Sequence, residues 1–320
     1  MGLGAWHLAW GAEAMSSKTV CVPAVDFVSV LCWDASFREH VDALRCALNQ
    51  TLPRDRYEVI FVEYYERVNT DAVRLAHEHG NLQVVALGNR HPGKENQHNI
   101  GACVNEGLRR ARGDLVVLPD ADVMFEEDFL EEVIRQHERV EELALYFHRL
   151  VEPKTDRPVP RTIEELKKVA RMASAHNYGA CPTVRTQWLK AVNGYDEAPV
   201  WRGYGGACVD AGVRFKSLGL CIKWHPTKFL YHGYHPGSAE PDAESRERIR
   251  IQIRIIGGRE KALETLPTVG LDLSRRPRYD YDAAAEVASR RWKLKLAARK
   301  CVRAVVPEAA RRTLRALLSD

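Results

Sequence analysis

Two aspartates separated by one residue, Asp120 and Asp122, directly follow the apolar run LVVLP. Carboxylates at positions i and i+2 of an extended chain point to the same side, so both can face one site. Oxygen ligands of this kind suit Mg²⁺ or Mn²⁺, which usually take their remaining ligands from water and from a substrate's phosphates. A metal held there would neutralise a departing diphosphate. A lone D-x-D pattern is also common where a strand passes into a polar loop, so its interpretation depends on the surrounding sequence.

A second group of metal-ligating residue types lies later in the chain and consists of Cys221, His225, His232 and His235. Thiolate and imidazole ligands bind Zn²⁺ in tetrahedral sites. The spacing C-x3-H-x6-H-x2-H does not match a standard structural zinc pattern, so zinc is the less favoured of the two metal interpretations.

The segments around the aspartates alternate between strands and helices. Short apolar and β-branched runs predict four strands, and segments with helical spacing predict three helices between them. The strands are predicted over 27–33, 57–65, 82–87 and 114–125, and the helices over 37–49, 70–79 and 99–111. This alternation predicts an α/β fold with a parallel, doubly wound sheet, in which ligands bind beyond the carboxyl ends of the strands. Asp34, Glu63, the loop 88–99 and the two aspartates all lie at those ends.

The second half keeps an α/β character but has less regular spacing. The pattern predicts a helix over 127–142, a strand over 143–151 and a further helix over 163–173. Thr162 is the expected N-cap of this last helix. Beyond residue 245 the chain becomes helical and charged.

The order of four motifs, VSVLCW, LNQTLPRDRYEVIFVE, HNIGACVNEGLRRARGDLVVLPDADV and VNGYDE, resembles that of the family 2 glycosyltransferases. The resemblance covers residues 26 to about 236 and is most specific over 98–124. It implies a GT-A fold, with a mostly parallel doubly wound central sheet, flanking helices and a C-terminal helical extension. It also implies transfer of a sugar from a nucleoside-diphosphate sugar to an acceptor hydroxyl, with inversion and with Mn²⁺ or Mg²⁺ as cofactor. The acceptor is an unknown glycan, lipid-linked or small molecule.

The same resemblance implies roles for individual residues. Glu63 stands where the family has an Asp that holds the nucleotide base, while Asp120 would bind ribose or metal and Asp122 would bind metal. His232 lies in a segment similar to the family's late H-x-x-H-P element and would complete the metal shell. The nucleotide-binding residues are therefore expected to be Asp34, Glu63, Lys94, His98, Asn99 and Asp120. His98 and Asn99 equally fit a cap on the helix that follows them.

Two departures from the family pattern affect the mechanism. The family's P-T-x-N after the first strand is replaced by Trp33-Asp34-Ala35-Ser36. The family's G-G-E-D supplies the catalytic base, and the matching run here is GGACVD over 205–210, which places Cys208 at the base position. A thiol does not serve as a carboxylate, so the candidate catalytic residues are Asp210, Asp196 and Glu197.

Three classes of function remain in competition at this point. A glycosyltransferase is favoured, and a non-catalytic sugar-nucleotide-binding or scaffold protein of the same fold is the alternative that Cys208 supports. A nucleotidyltransferase is disfavoured because the segment 34–38 after the first strand contains no glycine. The expected division of the chain is a tail over 1–24, a nucleotide-sugar-binding half over 25–140, an acceptor-binding half over 141–245 and a basic extension over 246–320.

The charge of the chain is unevenly distributed. The net charge is +4, yet residues 290–318 contain ten basic side chains and one acidic one, which leaves about −5 for the rest. This balance argues against a nucleic-acid partner, and the amphipathic pattern of 290–318 predicts contact with an anionic membrane surface or packing on the enzyme body. The eight cysteines include no C-x-x-C pair and indicate a protein of the reducing cytoplasm. If the basic segment contacts a membrane, we expect peripheral binding at its inner face.

Overall fold

The computed structural model describes residues 22–34, 41–64, 69–87, 99–156, 162–174, 177–203, 206–234 and 243–265. The strands are β1 (Val28–Trp33), β2 (Tyr57–Glu63), β3 (Leu82–Ala86), β4 (Leu115–Val117), β5 (Leu143–Val151), β6 (Arg171–Ser174), β7 (Thr183–Arg185) and β8 (Cys221–His232). The helices are α1 (Asp42–Leu48), α2 (Thr70–Glu78), α3 (Ile100–Arg110), α4 (Phe129–His137), α5 (Ile163–Val169), α6 (Thr186–Ala191), α7 (Ala207–Leu218) and α8 (Ala243–Thr265).

The sheet separates two hydrophobic cores. Val30 and Cys32 of β1 pack into one core with side chains of α1, α2 and α4. Leu31 and Trp33 point to the opposite face and pack with α3, α6 and α7. Because both faces of β1 are covered, its sequence is continuously apolar rather than alternating. The doubly wound arrangement expected from the sequence is therefore confirmed.

The first four strands form the parallel part of the sheet, in the order β3-β2-β1-β4. Trp33 of β1 lies opposite Val62 of β2, so the residues that follow them, Asp34 and Glu63, emerge at the same edge. The short β4 places Asp120 and Asp122 beyond its carboxyl end, at that edge as well.

The remaining strands make the sheet mixed. β7 is antiparallel to both β4 and β5, and β6 is antiparallel to β5. β8 runs parallel to β5 along its length, with Arg149 opposite Leu230 and Val151 opposite His232. The described strands thus make four parallel and three antiparallel pairings.

The predicted helix over 163–173 is correct at its start and wrong at its end. Thr162 caps α5 in a reciprocal capping box with Glu165. The helix ends at Val169, and Arg171–Ser174 pair with β5 as β6. Hydrogen bonding along an open edge of β5 outweighs the weak helical preference of this segment, which is a long-range effect that local spacing does not report.

The C-terminal extension begins as the expected helix, α8, which packs on α7. Among the described helices, none combines the length and the apolar character that crossing a bilayer requires. Residues 1–21 of the predicted N-terminal tail (1–24) and the basic segment 290–318 lie outside the described residues, as do Lys94 and His98.

Candidate active site

Asp120 is anchored to the loop that precedes β7. Its backbone N–H donates to the carbonyl oxygen of Ala180, and its Oδ2 accepts a hydrogen bond of 2.9 Å from the backbone N–H of Ala180. Ala180 has φ = 68°, a left-handed conformation that residues other than glycine adopt rarely. Such strain is often found at functional sites, where the surrounding structure holds it in place. Here the bonds to Asp120 provide that restraint.

Asp120 lies in a group of ionisable side chains that also includes Asp122, Arg149 and His232. Burial and the negative charge of Asp122 raise the pKa of Asp120 to about 6, against the lowering effect of Arg149, Ala180 and His232. His232 contacts Asp122, with Nε2 at 3.3 Å from Oδ2. Two carboxylates that repel each other, with a histidine beside them, form a site that a cation would stabilise.

The described residues do not assemble the predicted three metal ligands. No group of three or more His, Cys, Asp or Glu side chains in the described part is placed to hold a metal ion. Asp122 and His232 are in contact, while one oxygen of Asp120 is occupied by Ala180. Mg²⁺ and Mn²⁺ bind through one or two carboxylates together with water and substrate phosphates, so the pair Asp122 and His232 fits such an ion without a third protein ligand.

The zinc interpretation finds no support among the described residues. His225 is buried, and its Nε2 lies 2.8 Å from Glu132 Oε1. The other ring nitrogen of His225 accepts hydrogen bonds from the backbone N–H groups of Thr227 and Lys228. Cys221 packs in the hydrophobic core. Both side chains have structural partners, and His235 lies outside the described residues.

The residues expected to bind the nucleotide occupy neighbouring strand ends. Asp34 is buried and its Oδ1 accepts a hydrogen bond of 2.8 Å from the backbone N–H of Tyr64. Glu63 is buried as well, and its Oε1 accepts from the backbone N–H of Asn69 at 2.6 Å. Each carboxylate therefore accepts a hydrogen bond from a backbone N–H next to the end of β2 or the start of α2. Their contacts with a nucleotide stay a prediction.

Asn99 caps α3, as the alternative interpretation expected. Its Oδ1 accepts from the backbone N–H of Ala102, and its Nδ2 donates to the carbonyl oxygen of Glu197 at 2.9 Å. The start of α3 is thereby joined to the turn 193–197. The completely buried Asn99 side chain uses both ends of its amide in these bonds.

The turn 193–197 is held against α3 by a second asparagine, Asn105. Asn105 Oδ1 accepts from the backbone N–H of Tyr195 at 2.8 Å, and its Nδ2 donates to the carbonyl oxygen of Tyr195 and to Glu197 Oε1. A Cβ atom on Gly194 would lie 2.2 Å from Asn105 Oδ1, and Gly194 has φ = 66°. Only glycine fits there, which explains the glycine of the VNGYDE motif.

The three candidate bases all have partners in the structure. Asp210 has no exposed surface, and its two oxygens accept hydrogen bonds from Arg214 Nε, at 3.0 Å, and from Arg259 Nη1. Arg259 also lies 3.4 Å from Asp196 Oδ2. Hydrogen bonds and the charge of Arg259 lower the pKa of Asp196 against the opposing effect of its burial. Glu197 accepts a hydrogen bond from Asn105. Each of the three carboxylates therefore accepts a hydrogen bond from a side chain of the protein, and their catalytic role stays a prediction.

Two of these carboxylates, Asp196 and Glu197, line a cavity of about 690 Å³ between α3, the turn 193–197, α7 and α8. Arg214 and Arg259 line the same cavity, whereas Asp120 and Asp122 do not. The sequence offered Asp210, Asp196 and Glu197 as alternative candidates for the catalytic base. Tyr195, which also lines this cavity, interacts electrostatically with Asp120.

Cys208 is the side chain of α7 that faces the aspartate pair. A Cβ atom on Gly179 would lie 3.6 Å from Asp120 Oδ2 and 4.0 Å from Cys208 Sγ, so both border the same small space. Burial and the charge of Asp120 raise the pKa of the Cys208 thiol, against the lowering effect of a hydrogen bond with the Tyr195 side chain. Cys208 is therefore an uncharged thiol at neutral pH.

Sequence reasoning missed two residues at this site. Arg149 influences Asp120 from β5, and Ala180 anchors it from the loop before β7. The only local indication was a charged residue inside the otherwise apolar run LALYFHRLV. Ala180 had no such indication, because its role depends on its backbone.

Comparison with known proteins agrees with this architecture. Residues 41–185 match the family described as Glycosyl transferase family 2. No curated protein matches the chain significantly by sequence. The structure resembles that of S. aureus TarS 1–349 in complex with UDP-GlcNAc, with a TM-score of 0.52 and 18% identity over 74% of this chain and 69% of that one.

It also resembles GalNAc-T7 with UDP, GalNAc and Mn²⁺, with a TM-score of 0.53 and 12% identity over 73% of this chain and 48% of that one. The alignment therefore spans about half the length of GalNAc-T7. At these identities the likeness establishes the fold alone, and that fold is the one expected from the sequence.

Proposed function

Starting from a chain that is GT-A in fold and matches glycosyltransferase family 2 over residues 41–185, we propose that it transfers a sugar from a nucleoside-diphosphate sugar to an acceptor, with a divalent metal and with inversion. The observation that carries the metal-assisted part is the contact between Asp122 and His232 beside Asp120, at the carboxyl edge of the parallel strands. Ligands of doubly wound sheets bind at that edge.

Within this proposal, Asp122 and His232 hold Mn²⁺ or Mg²⁺ together with the diphosphate of the donor. When bound, the metal supplies positive charge that stabilises the departing diphosphate. Asp120, fixed by Ala180, keeps a second carboxylate beside the pair and orients the ribose or the metal shell. The anchoring matters because a catalytic group that is already positioned does not have to be reorganised during the reaction.

The nucleotide occupies the neighbouring strand ends. Asp34 and Glu63 lie at the carboxyl ends of adjacent parallel strands and accept hydrogen bonds from the backbone N–H groups of Tyr64 and Asn69. This arrangement supports recognition of the base and ribose by the half of the domain formed by 25–140. The acceptor then lies on the side of α7 and β5, within 141–245.

A non-catalytic protein that binds sugar nucleotides is the second candidate, and Cys208 favours it. The described structure has a thiol next to Asp120 where the family pattern has a carboxylate. A protein that has lost the catalytic base but keeps the residues for the metal and the sugar nucleotide would bind the nucleotide without turnover.

Thermal stability with and without ligands tests the first proposal. We expect UDP or GDP with Mn²⁺, and UDP-GlcNAc or GDP-mannose with Mn²⁺, to raise the Tm more than either nucleotide or metal alone. Release of nucleoside diphosphate from the stabilising donor then distinguishes a transferase from the binding protein. Failure of every nucleotide to stabilise the protein would contradict both candidates.

A further inference from the structure

The surroundings of Asp120 provide information about the acceptor, on the premise that the proposed glycosyl transfer is correct. A neutral hydroxyl must lose its proton when it attacks the anomeric carbon, and a carboxylate usually takes that proton. Asp210 has both oxygens occupied by arginine groups, Asp196 pairs with Arg259, and Glu197 accepts a hydrogen bond from Asn105. Among the described residues, each of these candidates therefore already has a protein partner.

The side chain that α7 does direct toward Asp120 is Cys208. A thiol has an ordinary pKa of about 8.5 and carries its own proton at neutral pH. It fills the space beside the reacting centre without offering a negative charge to an incoming proton. The residue type alone makes Cys208 a poor partner for a hydroxyl acceptor.

A cation on β5, Arg149, also acts on Asp120, because its charge lowers the pKa of that carboxyl. Arg149 is in register with Leu230 of β8, two residues before His232, so it lies diagonally from the predicted metal ligand across the paired strands. Its Nε is buried and has no hydrogen-bond partner within the described part of the chain. A buried guanidinium atom without an acceptor is costly unless a ligand supplies one. Guanidinium groups pair well with phosphate oxygens.

We propose that the acceptor is a phosphate monoester, whose ionised oxygen attacks the donor and whose remaining oxygens are bound by Arg149. This acceptor explains the thiol and the arginine together, because an ionised nucleophile needs no base and does need a positive partner.

The reaction balances without a proton acceptor. One oxygen of the monoester dianion forms a bond to the anomeric carbon as the bond from that carbon to the diphosphate breaks. The electron pair of the broken bond leaves with the nucleoside diphosphate. The products are a glycosyl phosphodiester with one negative charge and a nucleoside diphosphate with three, which together carry the four charges of the dianionic acceptor and the dianionic donor. No proton is taken up or released at the reacting oxygen.

The first test measures binding to the protein saturated with UDP and Mn²⁺, so that the donor phosphates' site is already filled. Octyl phosphate is compared with octanol, and glucose 6-phosphate is included to separate a lipid-borne phosphate from a water-soluble one. We expect stabilisation by at least one of the two phosphates and none by octanol. Arg149→Gln should weaken phosphate binding by about tenfold or more, whereas Arg139→Gln, an exposed arginine on another element, should leave it unchanged.

Saturation with nucleotide and Mn²⁺ distinguishes a failure of the proposed function from a failure of the acceptor assignment. If neither UDP nor GDP binds in the presence of Mn²⁺, the proposed function fails; if only GDP binds, GDP replaces UDP in the saturation step. If it binds and neither phosphate adds stability, or if Arg149→Gln weakens UDP binding and not phosphate binding, the acceptor assignment is overturned and the function stands.

Turnover gives an independent readout with the donor that stabilises the protein. Transfer to the phosphate acceptor should increase with pH through about 6, the second pKa of a phosphate monoester. Cys208→Ala should keep transfer to within about threefold, because the thiol does not take part. A loss of a hundredfold or more in Cys208→Ala, or transfer to octanol and not to octyl phosphate, would contradict the proposal.

Discussion

Gln252 joins α8 to Gly206, the residue that caps the N-terminus of α7. Its Oε1 accepts a hydrogen bond of 3.0 Å from the backbone N–H of Gly206. Its Nε2 donates to the carbonyl oxygen of Val200, and the side chain is only 1% exposed. Cys208, which borders Asp120, follows two residues after Gly206. The extension therefore positions the wall of the site even though it supplies none of the proposed ligands.

The first prediction tests that coupling. Gln252→Leu should lower the free energy of unfolding by about 1–3 kcal/mol, because it removes the partner of two partly buried backbone groups, the N–H of Gly206 and the carbonyl oxygen of Val200. Ile253→Ser, at the neighbouring position that is 64% exposed, should have little effect. Chemical denaturation of both variants provides the measurement. Equal stability in the two would mean that α8 does not position α7.

The second prediction concerns the metal. Asp122→Asn and His232→Ala should each remove the additional stabilisation that Mn²⁺ gives to the UDP complex, while the ligand-free Tm changes little. Ligand at one hundred times its Kd stabilises by about 2.7 kcal/mol, so the loss is measurable by calorimetry. Glu131→Gln, on the exposed surface of α4, is the matched control. An unchanged Mn²⁺ response in Asp122→Asn would contradict the assignment.

The third prediction follows from the pKa of Asp120, which burial and Asp122 raise to about 6. Since this value lies above the value of about 3.9 for an unfolded chain, the folded protein holds the proton more tightly. The contribution of Asp120 to stability is therefore largest in acid and falls as pH rises from about 4 to about 6. A bound cation opposes the repulsion between the carboxylates and displaces the proton.

The gain in Tm from UDP with Mn²⁺ should accordingly be larger at pH 7.5 than at pH 5. In Asp120→Asn this pH dependence should become smaller, because the titrating group is gone. Parallel unfolding curves at both pH values, recorded with and without ligand, make the comparison. A gain that is independent of pH in the unmodified protein would show that Asp120 does not take part.

The fourth prediction separates two roles for Asp210. Its contacts with Arg214 and Arg259 predict that Asp210→Asn lowers the free energy of unfolding by about 1.5–3 kcal/mol, since a hydrogen bond to a charged group is lost. Arg259→Gln should be destabilising as well, and the two changes together should cost less than their sum. A role as base instead predicts a loss of turnover of about 10² or more at unchanged stability. Denaturation and turnover measured on the same variants decide between them.

Local sequence alone determined the parallel half of the fold and the place of the aspartate pair. A continuous apolar run predicts a strand that is covered on both faces. The polar residues that follow it lie at the strand end, independently of contacts with distant parts of the chain. The capping of α5 by Thr162 was equally local, because a cap depends on residues within one turn. Those features need no knowledge of distant contacts.

Tertiary structure alone decided which side chains meet. The pairing of Arg171–Ser174 with β5 replaced a predicted helical end, and the bond between Asp210 and Arg259 spans 49 residues. Arg149 of β5 acts on Asp120 across the sheet, and Ala180 anchors Asp120 through a backbone conformation that no side-chain pattern encodes. Periodicity specifies which face of an element is buried, but the partner on that face is selected by packing of the whole domain. For this reason the sequence located the strand end that carries Asp120 and Asp122, and the fold identified the partners of Asp196, Glu197 and Asp210.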